Sequence, residues 1–268
     1  MKIRSLSLAA LAAAAVLSTA GSASAQEYAD LKVQFVYDSD DLPAKEPVDM
    51  SKDAFCVKIH NGNPVYRDIM QVDPATRGIG NIAVYPDRRS GIDEKDVHPD
   101  LLKETAPPVL DNIECMFAPH VITMTAGNKL IVKNSDKTGH NAAFAFFAND
   151  SVNKIIPQGG SEDFLVEKAE RGPIPVECSI HPWMKAYLIV QELPYMGVSD
   201  KEGNLTIEKL PAGKAISLKI WHENANKSIE KVNMGGKDTE LDKGVLEITL
   251  KPGMNDLGVI KIKPDQFK

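Results

Sequence analysis

Three residues that can bind a metal lie within seven positions of this chain, in the stretch VECSIHPWMK. Cys178, His181 and Met184 follow one another with the spacing C-x-x-H-x-x-M. A mononuclear copper site of the electron-transfer type uses two imidazoles, one thiolate and a weak axial thioether. This stretch therefore offers three of the four ligands of such a site, and a second imidazole must come from elsewhere in the chain.

The best second imidazole is that of His140, in the polar stretch NSDKTGHNAAF. It follows a strand-like run that ends at Asn134 and stands where the next strand is expected to start. We therefore expect one copper ion at His140, Cys178, His181 and Met184. Zinc is the alternative metal, but it prefers stronger ligands than a thioether. The alternative without a metal is that Cys178 is a small buried apolar residue.

The first 25 residues have the pattern of a secretory signal peptide. Lys2 and Arg4 precede an apolar, alanine-rich run, and Ala23-Ser24-Ala25 is a small-residue cleavage site. The run is too short for a good transmembrane anchor. We therefore expect a periplasmic or secreted protein that begins near Gln26 and has no integral membrane segment. Loss of the two basic residues changes the net charge from −6 to −8, which argues against nucleic acid as a partner.

The chain has three cysteines, and an odd number in an exported protein suggests one disulfide and one thiol with another role. Spacing alone does not select the pair. Because Cys178 already lies among metal-binding residues, Cys56 and Cys115 are expected to form the disulfide.

Short apolar or alternating runs between turn residues predict an all-β protein. The clearest predicted strands before residue 150 are LKVQFVY (31–37), AFCVKI (54–59), IGNIAVY (79–85), KLIVKN (129–134) and AAFAFF (142–147). The best helical candidate is HPDLLKE (98–104). A boundary is expected near Leu193-Pro194, because further strand-like runs separated by turns follow it. The predicted segments are a signal peptide (1–25), a copper domain with an N-terminal extension (26–192) and a small β-sandwich (193–268).

The stretch CSIHPWM resembles the C-terminal ligand loop of the cupredoxins, with the spacing found in amicyanin and pseudoazurin. The His-Asn pair at 140–141 resembles their first ligand and its neighbour. The similarity covers roughly residues 118–192. The chain also resembles secreted cupredoxin-like proteins related to methylamine utilisation. In these, a C-x-F-x-P-H-V stretch (115–121 here) precedes the first ligand, and a sandwich like a carboxypeptidase regulatory domain or transthyretin follows.

This resemblance implies a Greek-key cupredoxin β-sandwich followed by a second small β-sandwich. It implies a type 1 copper site, with Asn141 fixing the cysteine loop by hydrogen bonds. In cupredoxin-like loops the C-terminal histidine reaches the surface, so Pro182 and Trp183 are expected to form a docking surface for an unidentified redox protein. The alternative for Trp183 is burial under the second sandwich. The resemblance gives no role to residues 26–117.

The sequence carries no catalytic motif of the P-loop, G-x-G-x-x-G, H-E-x-x-H or G-x-S-x-G kind. Four protein ligands leave no coordination position for a substrate, so we expect a non-enzymatic carrier of single electrons by outer-sphere transfer. The alternative is a cell-envelope binding or structural protein with a storage or vestigial copper site, because bare electron carriers rarely need residues 26–117 or a second sandwich. His120 is expected to be structural, and a metal role for it stays open.

Overall fold

Short strands with one buried and one exposed face organise most of the chain. The computed structural model describes residues 26–103 and 106–268, so the signal peptide predicted for residues 1–25 lies outside the described residues. Strand β1 (Tyr28–Tyr37), for example, places Leu31, Val33 and Phe35 in the core while Lys32 faces outward. Among the described residues, no helix has the length and apolar character needed to cross a membrane. The predicted all-β class is confirmed.

The strands up to residue 191 are β1 (Tyr28–Tyr37), β2 (Ala83–Pro86), β3 (Val109–Ile113), β4 (Met116–Ala118), β5 (Val121–Thr125), β6 (Asn128–Asn134), β7 (His140–Phe144), β8 (Val152–Ile156), β9 (Ser161–Val166), β10 (Ile174–Glu177) and β11 (Lys185–Gln191). The later strands are β12 (Gly197–Val198), β13 (Asn204–Pro211), β14 (Ala215–Trp221), β15 (Lys231–Met234), β16 (Lys237–Glu240), β17 (Val245–Thr249) and β18 (Gly253–Ile262). The described helical segments are α1 (Ala54–Ile59) and the 3-10 helices Glu94–Asp96, Pro99–Leu102 and Pro264–Gln266.

The first sandwich carries the predicted ligands. One of its sheets has the strand order β5-β11-β10-β7-β8, and the other has the order β4-β3-β6-β9. The inward side chains of both sheets share one apolar cluster, which includes Leu110, Leu130, Phe144, Val176 and Leu188. Because β7 and β10 are antiparallel neighbours, the start of β7 lies beside the loop that follows β10. This pairing brings His140 to the loop of Cys178 and His181.

The second sandwich has its own core. Its sheets have the strand orders β13-β1-β18-β15-β16 and β12-β2-β14-β17. Phe35, Val84, Ile207, Leu218 and Ile260 are among the residues of its apolar cluster. The two predicted sandwiches are thus both present.

The strand pairing departs from the predicted division at residue 193, because β1 and β2 belong to the second sandwich. Strand β1 lies between β13, to which it is antiparallel, and β18, to which it is parallel. Strand β2 lies between β12 and β14. The alternation in residues 31–37 predicts a strand with one apolar face. It carries no information on which distant strand will complete the backbone hydrogen bonds.

Residues 54–59 form helix α1, so the strand predicted there is wrong. Asp53 caps the helix, because its Oδ1 accepts hydrogen bonds from the backbone N–H groups of Phe55 at 2.8 Å and Cys56 at 3.0 Å. Phe55, Cys56 and Ile59 pack against the first core. The spacing of these three residues is that of one face of a helix and not that of an alternating strand. Short apolar runs are ambiguous between strand and helix.

Candidate metal centre

Three of the four predicted ligands converge in the first sandwich. The Nδ1 atoms of His140 and His181 are 2.9 Å apart, and Sγ of Cys178 lies 3.9 Å from Nδ1 of His181. Ligand atoms of all three residues lie within 4.8 Å of one another, and all three side chains are buried. The fold therefore places two imidazoles and one thiol around a common point.

Met184 closes the loop that carries Cys178 and His181. Its backbone N–H donates to the carbonyl of His181 at 2.9 Å, and its carbonyl accepts from the N–H of Cys178 at 3.3 Å. Its side chain is fully buried in the same apolar cluster as Cys178. The C-x-x-H-x-x-M spacing thus forms a tight turn between β10 and β11 with its two ends hydrogen-bonded.

Asn141 holds this loop from the neighbouring strand β7. Its Oδ1 accepts the backbone N–H groups of Ser179 at 2.7 Å and Ile180 at 3.2 Å. Its own N–H points to Sγ of Cys178 at 3.5 Å. Asn141 thus joins strand β7 to the loop of Cys178 by hydrogen bonds.

His140 is supported by the carboxylate of Asp136, a role that the sequence pattern did not predict. Nε2 of His140 lies 2.9 Å from Oδ2 of Asp136. Asp136 also accepts the backbone N–H groups of Glu114 and Cys115, both at 2.8 Å. Those two residues have positive φ angles of 54° and 55°, a conformation that non-glycine residues seldom adopt. An aspartate four residues before His140, the predicted ligand, was the available signal in the sequence.

His181 is supported in the same way by Asp53, which the sequence analysis also missed. Nε2 of His181 lies 3.0 Å from Oδ2 of Asp53, whose side chain is 21% exposed. The only local signal was an aspartate directly before a short apolar run, the place of a helix cap. Two carboxylates, one for each imidazole, therefore surround the site.

The disulfide connects two residues whose backbone N–H groups bind the carboxylates of Asp53 and Asp136. Cys56, three residues after Asp53, is bonded to Cys115, which is the pair that the sequence predicts. Sγ of Cys56 lies 4.0 Å from Nε2 of His181. The backbone N–H of Cys115 donates a hydrogen bond to Oδ2 of Asp136. Cys178 is left as a buried free thiol. Residues 49–59, which we call the cap segment, are thus attached covalently beside the site.

His140 and Cys178 each shift the pKa of the other toward its charged form. Burial by itself lowers the pKa of His140, but Asp136 and Cys178 outweigh burial and raise that pKa to about 9. Burial raises the pKa of Cys178, but His140 and the N–H groups of Asn141 and His181 outweigh it, so the pKa lies below its ordinary value. Burial also raises the pKa of Asp136, yet the hydrogen bonds from His140 and Cys115 hold it below its usual range.

The donor set fits a metal cation. A carboxylate only accepts hydrogen bonds, so Nε2 of each histidine carries the proton that faces its aspartate. The Nδ1 lone pairs of His140 and His181 then face each other across 2.9 Å. Two lone pairs at this distance, beside the sulfur of Cys178, require a cation between them, either a proton or a metal ion. Two imidazoles, a thiolate and a thioether are the ligand types of mononuclear copper sites.

The predicted docking surface is wrong for Trp183. Its side chain is only 8% exposed, and its Nε1–H donates to the carbonyl of Cys115 at 3.0 Å. It is buried in the first core, and not under the second sandwich as the alternative held. His181 is 2% exposed because the cap segment covers it, whereas Pro182 does reach the surface. The N-terminal region, which the resemblance left without a role, supplies this cover.

His120 lies at the junction of the two sandwiches. Its Nε2 contacts a carboxylate oxygen of Glu223, and both side chains are buried. Its ring meets that of Tyr187 edge-on, with the centroids 6.0 Å apart. His120 therefore connects the two sandwiches through its contact with Glu223.

Several solved structures resemble part of this chain. No protein-family model matches it, and no curated protein does. A copper-containing nitrite reductase from Thermus scotoductus is 22% identical over 34% of this chain and 23% of its own length, with a TM-score of 0.31. The oxidised state of an amicyanin mutant is 17% identical over 33% of this chain and 87% of its own, with a TM-score of 0.29. A purple cupredoxin from Nitrosopumilus maritimus is 18% identical over 31% of this chain and 99% of its own length, with a TM-score of 0.27. At such scores these likenesses assign no function to the chain.

Proposed function

We propose that this chain binds one copper ion through His140, Cys178, His181 and Met184 and carries single electrons by outer-sphere transfer. The observation that supports this most is the convergence of two Nδ1 atoms and one sulfur within 4.8 Å in a buried loop. When bound there, copper supplies a one-electron couple between Cu(I) and Cu(II). Sulfur ligands favour Cu(I) and imidazole suits both states, so this donor mixture serves a site that cycles between them.

The protein limits movement of the donor atoms. Asp136 and Asp53 hold the far nitrogens of the two imidazoles, and Asn141 holds the backbone of the cysteine loop. Cys178 and His181 are both buried, which keeps water away from the donor atoms. A rigid and dry site of this kind supports transfer of electrons more than binding of a substrate, and for that reason we propose a carrier and not an enzyme.

The electron leaves, in this proposal, through the loop between Cys178 and Met184. Ser179, Ile180 and Pro182 are exposed, and they are the direct neighbours of the buried ligands Cys178 and His181. The partner is another redox protein that contacts these residues. The predicted signal peptide and the Cys56–Cys115 disulfide support a periplasmic or secreted location, since disulfides persist in oxidising compartments.

One observation favours a second candidate function, copper storage in a binding or structural protein of the cell envelope. The imidazole of His181 is 2% exposed, and Asp53 covers its edge. An electron therefore cannot pass to a partner through an exposed edge of this histidine, the route expected for a cupredoxin-like loop. The two functions differ in rate. A carrier exchanges electrons quickly between its Cu(I) and Cu(II) forms, whereas a storage protein does so slowly and releases copper to chelators.

The proposed function is tested by adding Cu(II) to the purified protein and recording its visible spectrum. We expect an intense thiolate-to-copper absorption that saturates at one copper per chain. The matched control is Cys178→Ser, which keeps the size of the side chain but removes the thiolate and should abolish the absorption. A wild-type protein that binds copper without this absorption would contradict the proposal. NMR line broadening in mixtures of the two oxidation states then measures self-exchange and separates a carrier from a store.

A further inference from the structure

The cap segment contributes a carboxylate, that of Asp53, which reaches the candidate metal centre. Asp53 uses its two carboxylate oxygens for two different tasks. Oδ1 accepts the N–H groups of Phe55 and Cys56 and so begins helix α1. Oδ2 lies 3.0 Å from Nε2 of His181. The helix and the imidazole are therefore linked through a single residue.

The position of Asp53 is held from both sides. Cys56, at the start of α1, is fully buried and is bonded to Cys115. On the other side, Oγ1 of Thr138 approaches Oδ2 of Asp53 at 3.5 Å. Asp53 is thus fixed between the start of helix α1 and the turn that precedes β7.

We infer that Asp53 is a positioning residue for the metal, which acts through His181. This inference rests on the proposed copper site. The carboxylate keeps the proton of His181 on Nε2, so that the lone pair of Nδ1 is directed to the metal. Its negative charge also stabilises the more positive oxidation state, Cu(II), relative to Cu(I). Carboxylates that support metal-binding histidines in this way raise the basicity of the ligand.

The chemistry of an amide at this position makes the inference testable. Asparagine caps helices as well as aspartate does, so Asp53→Asn retains the start of α1. With its oxygen occupied by the N–H groups of Phe55 and Cys56, the new NH₂ group faces Nε2 of His181. Two donors then oppose each other, which favours the tautomer with the proton on Nδ1. That tautomer competes with metal binding.

The experiment compares Asp53→Asn with Asp49→Asn. Asp49 is an exposed carboxylate of the same cap segment that accepts hydrogen bonds from Ser51, so this control makes the same change of charge away from His181. We expect Asp53→Asn to weaken Cu(II) binding about 10- to 100-fold and Cu(I) binding by less. Each tenfold difference raises the reduction potential by about 59 mV for one electron. Equal potentials in the two variants would overturn the role of Asp53.

A second measurement does not depend on a variant. The diamagnetic Zn(II)-loaded wild-type protein, with ¹⁵N-labelled histidine, reports by NMR which ring nitrogen of His181 carries the proton. A proton on Nε2 supports the inference, and a proton on Nδ1 refutes it. If the wild-type protein lacks the intense visible absorption with copper, the proposed function fails. If the absorption is present but Asp53→Asn behaves as Asp49→Asn does, only the inference on Asp53 fails.

Discussion

Asp53 and His181 are 128 residues apart in the chain, yet Oδ2 of one lies 3.0 Å from Nε2 of the other. The contact joins the N-terminal region to the loop that carries three of the four proposed ligands. Because His140 has the equivalent contact with Asp136 at 2.9 Å, both imidazoles are held at the nitrogen that faces away from the site. The orientation of the two rings is thus set by carboxylates before any metal binds.

Replacement of the proposed axial ligand should change the potential of the copper site more than its affinity. We expect Met184→Leu to keep copper bound and to alter the reduction potential, because the axial thioether tunes a site that the imidazoles and the thiolate anchor. The control is Met124→Leu, since Met124 is buried in the same core but lies outside the ligand loop. Cyclic voltammetry checks the prediction. A potential that moves equally in both variants would show that Met184 is not a ligand.

The disulfide should contribute strongly to stability because it closes a long loop. Cys56 and Cys115 are separated by 59 residues, for which the chain-entropy model gives about 4 kcal/mol. We expect the double variant Cys56→Ala, Cys115→Ala to lose roughly this free energy of unfolding in urea. Peptide mapping of the unreduced protein supplies the control. It should yield a linked Cys56–Cys115 peptide and a free Cys178, and any peptide that links Cys178 would contradict both the disulfide and the copper site.

Trp183 should act as a core residue and not as a contact for a partner. Trp183→Phe removes the hydrogen bond to the carbonyl of Cys115 and leaves a space in the core, so we expect the free energy of unfolding to fall by about 1–3 kcal/mol. The neighbouring exposed residue gives the control, and Pro182→Ala should change stability by no more than about 0.5 kcal/mol. Urea denaturation checks both values. Equal stabilities would mean that the indole is not packed as described.

His222 should make the protein less stable as the pH falls. Its side chain is buried, and burial lowers its pKa to about 4 from the ordinary value of 6.5. Between these values the unfolded chain binds a proton that the folded chain does not, so the free energy of unfolding decreases as the pH falls from 6.5 to 4. The integrated loss is about 3 kcal/mol at pH 4. In denaturation of copper-free protein at pH 7 and pH 4.5, His222→Gln should show a smaller pH dependence than wild type, and an unchanged dependence would refute the prediction.

The proximity of the proposed ligands on the loop after β10 was predictable because their spacing is local. Cys178, His181 and Met184 lie in one short turn, where the chain itself keeps the side chains close. His140 was predictable because it begins a strand after a polar turn, and β7 pairs directly with β10. The alternating residues 31–37 likewise predicted a strand from their own pattern. In each of these cases the deciding interactions extend over one element or to its neighbour in a sheet.

Long-range packing decided the remaining features. Helix α1 replaced a predicted strand because Asp53 caps it and Cys56 is bonded to a residue of the first sandwich. Strand β1 belongs to the second sandwich because its backbone forms hydrogen bonds with β13 on one side and β18 on the other. The sequence by itself determined which side chains offer atoms that could bind a metal, since donor chemistry belongs to residue types. The tertiary structure alone decided that the carboxylate of Asp53 contacts Nε2 of His181, because a contact between segments 128 residues apart depends on the path of the whole intervening chain.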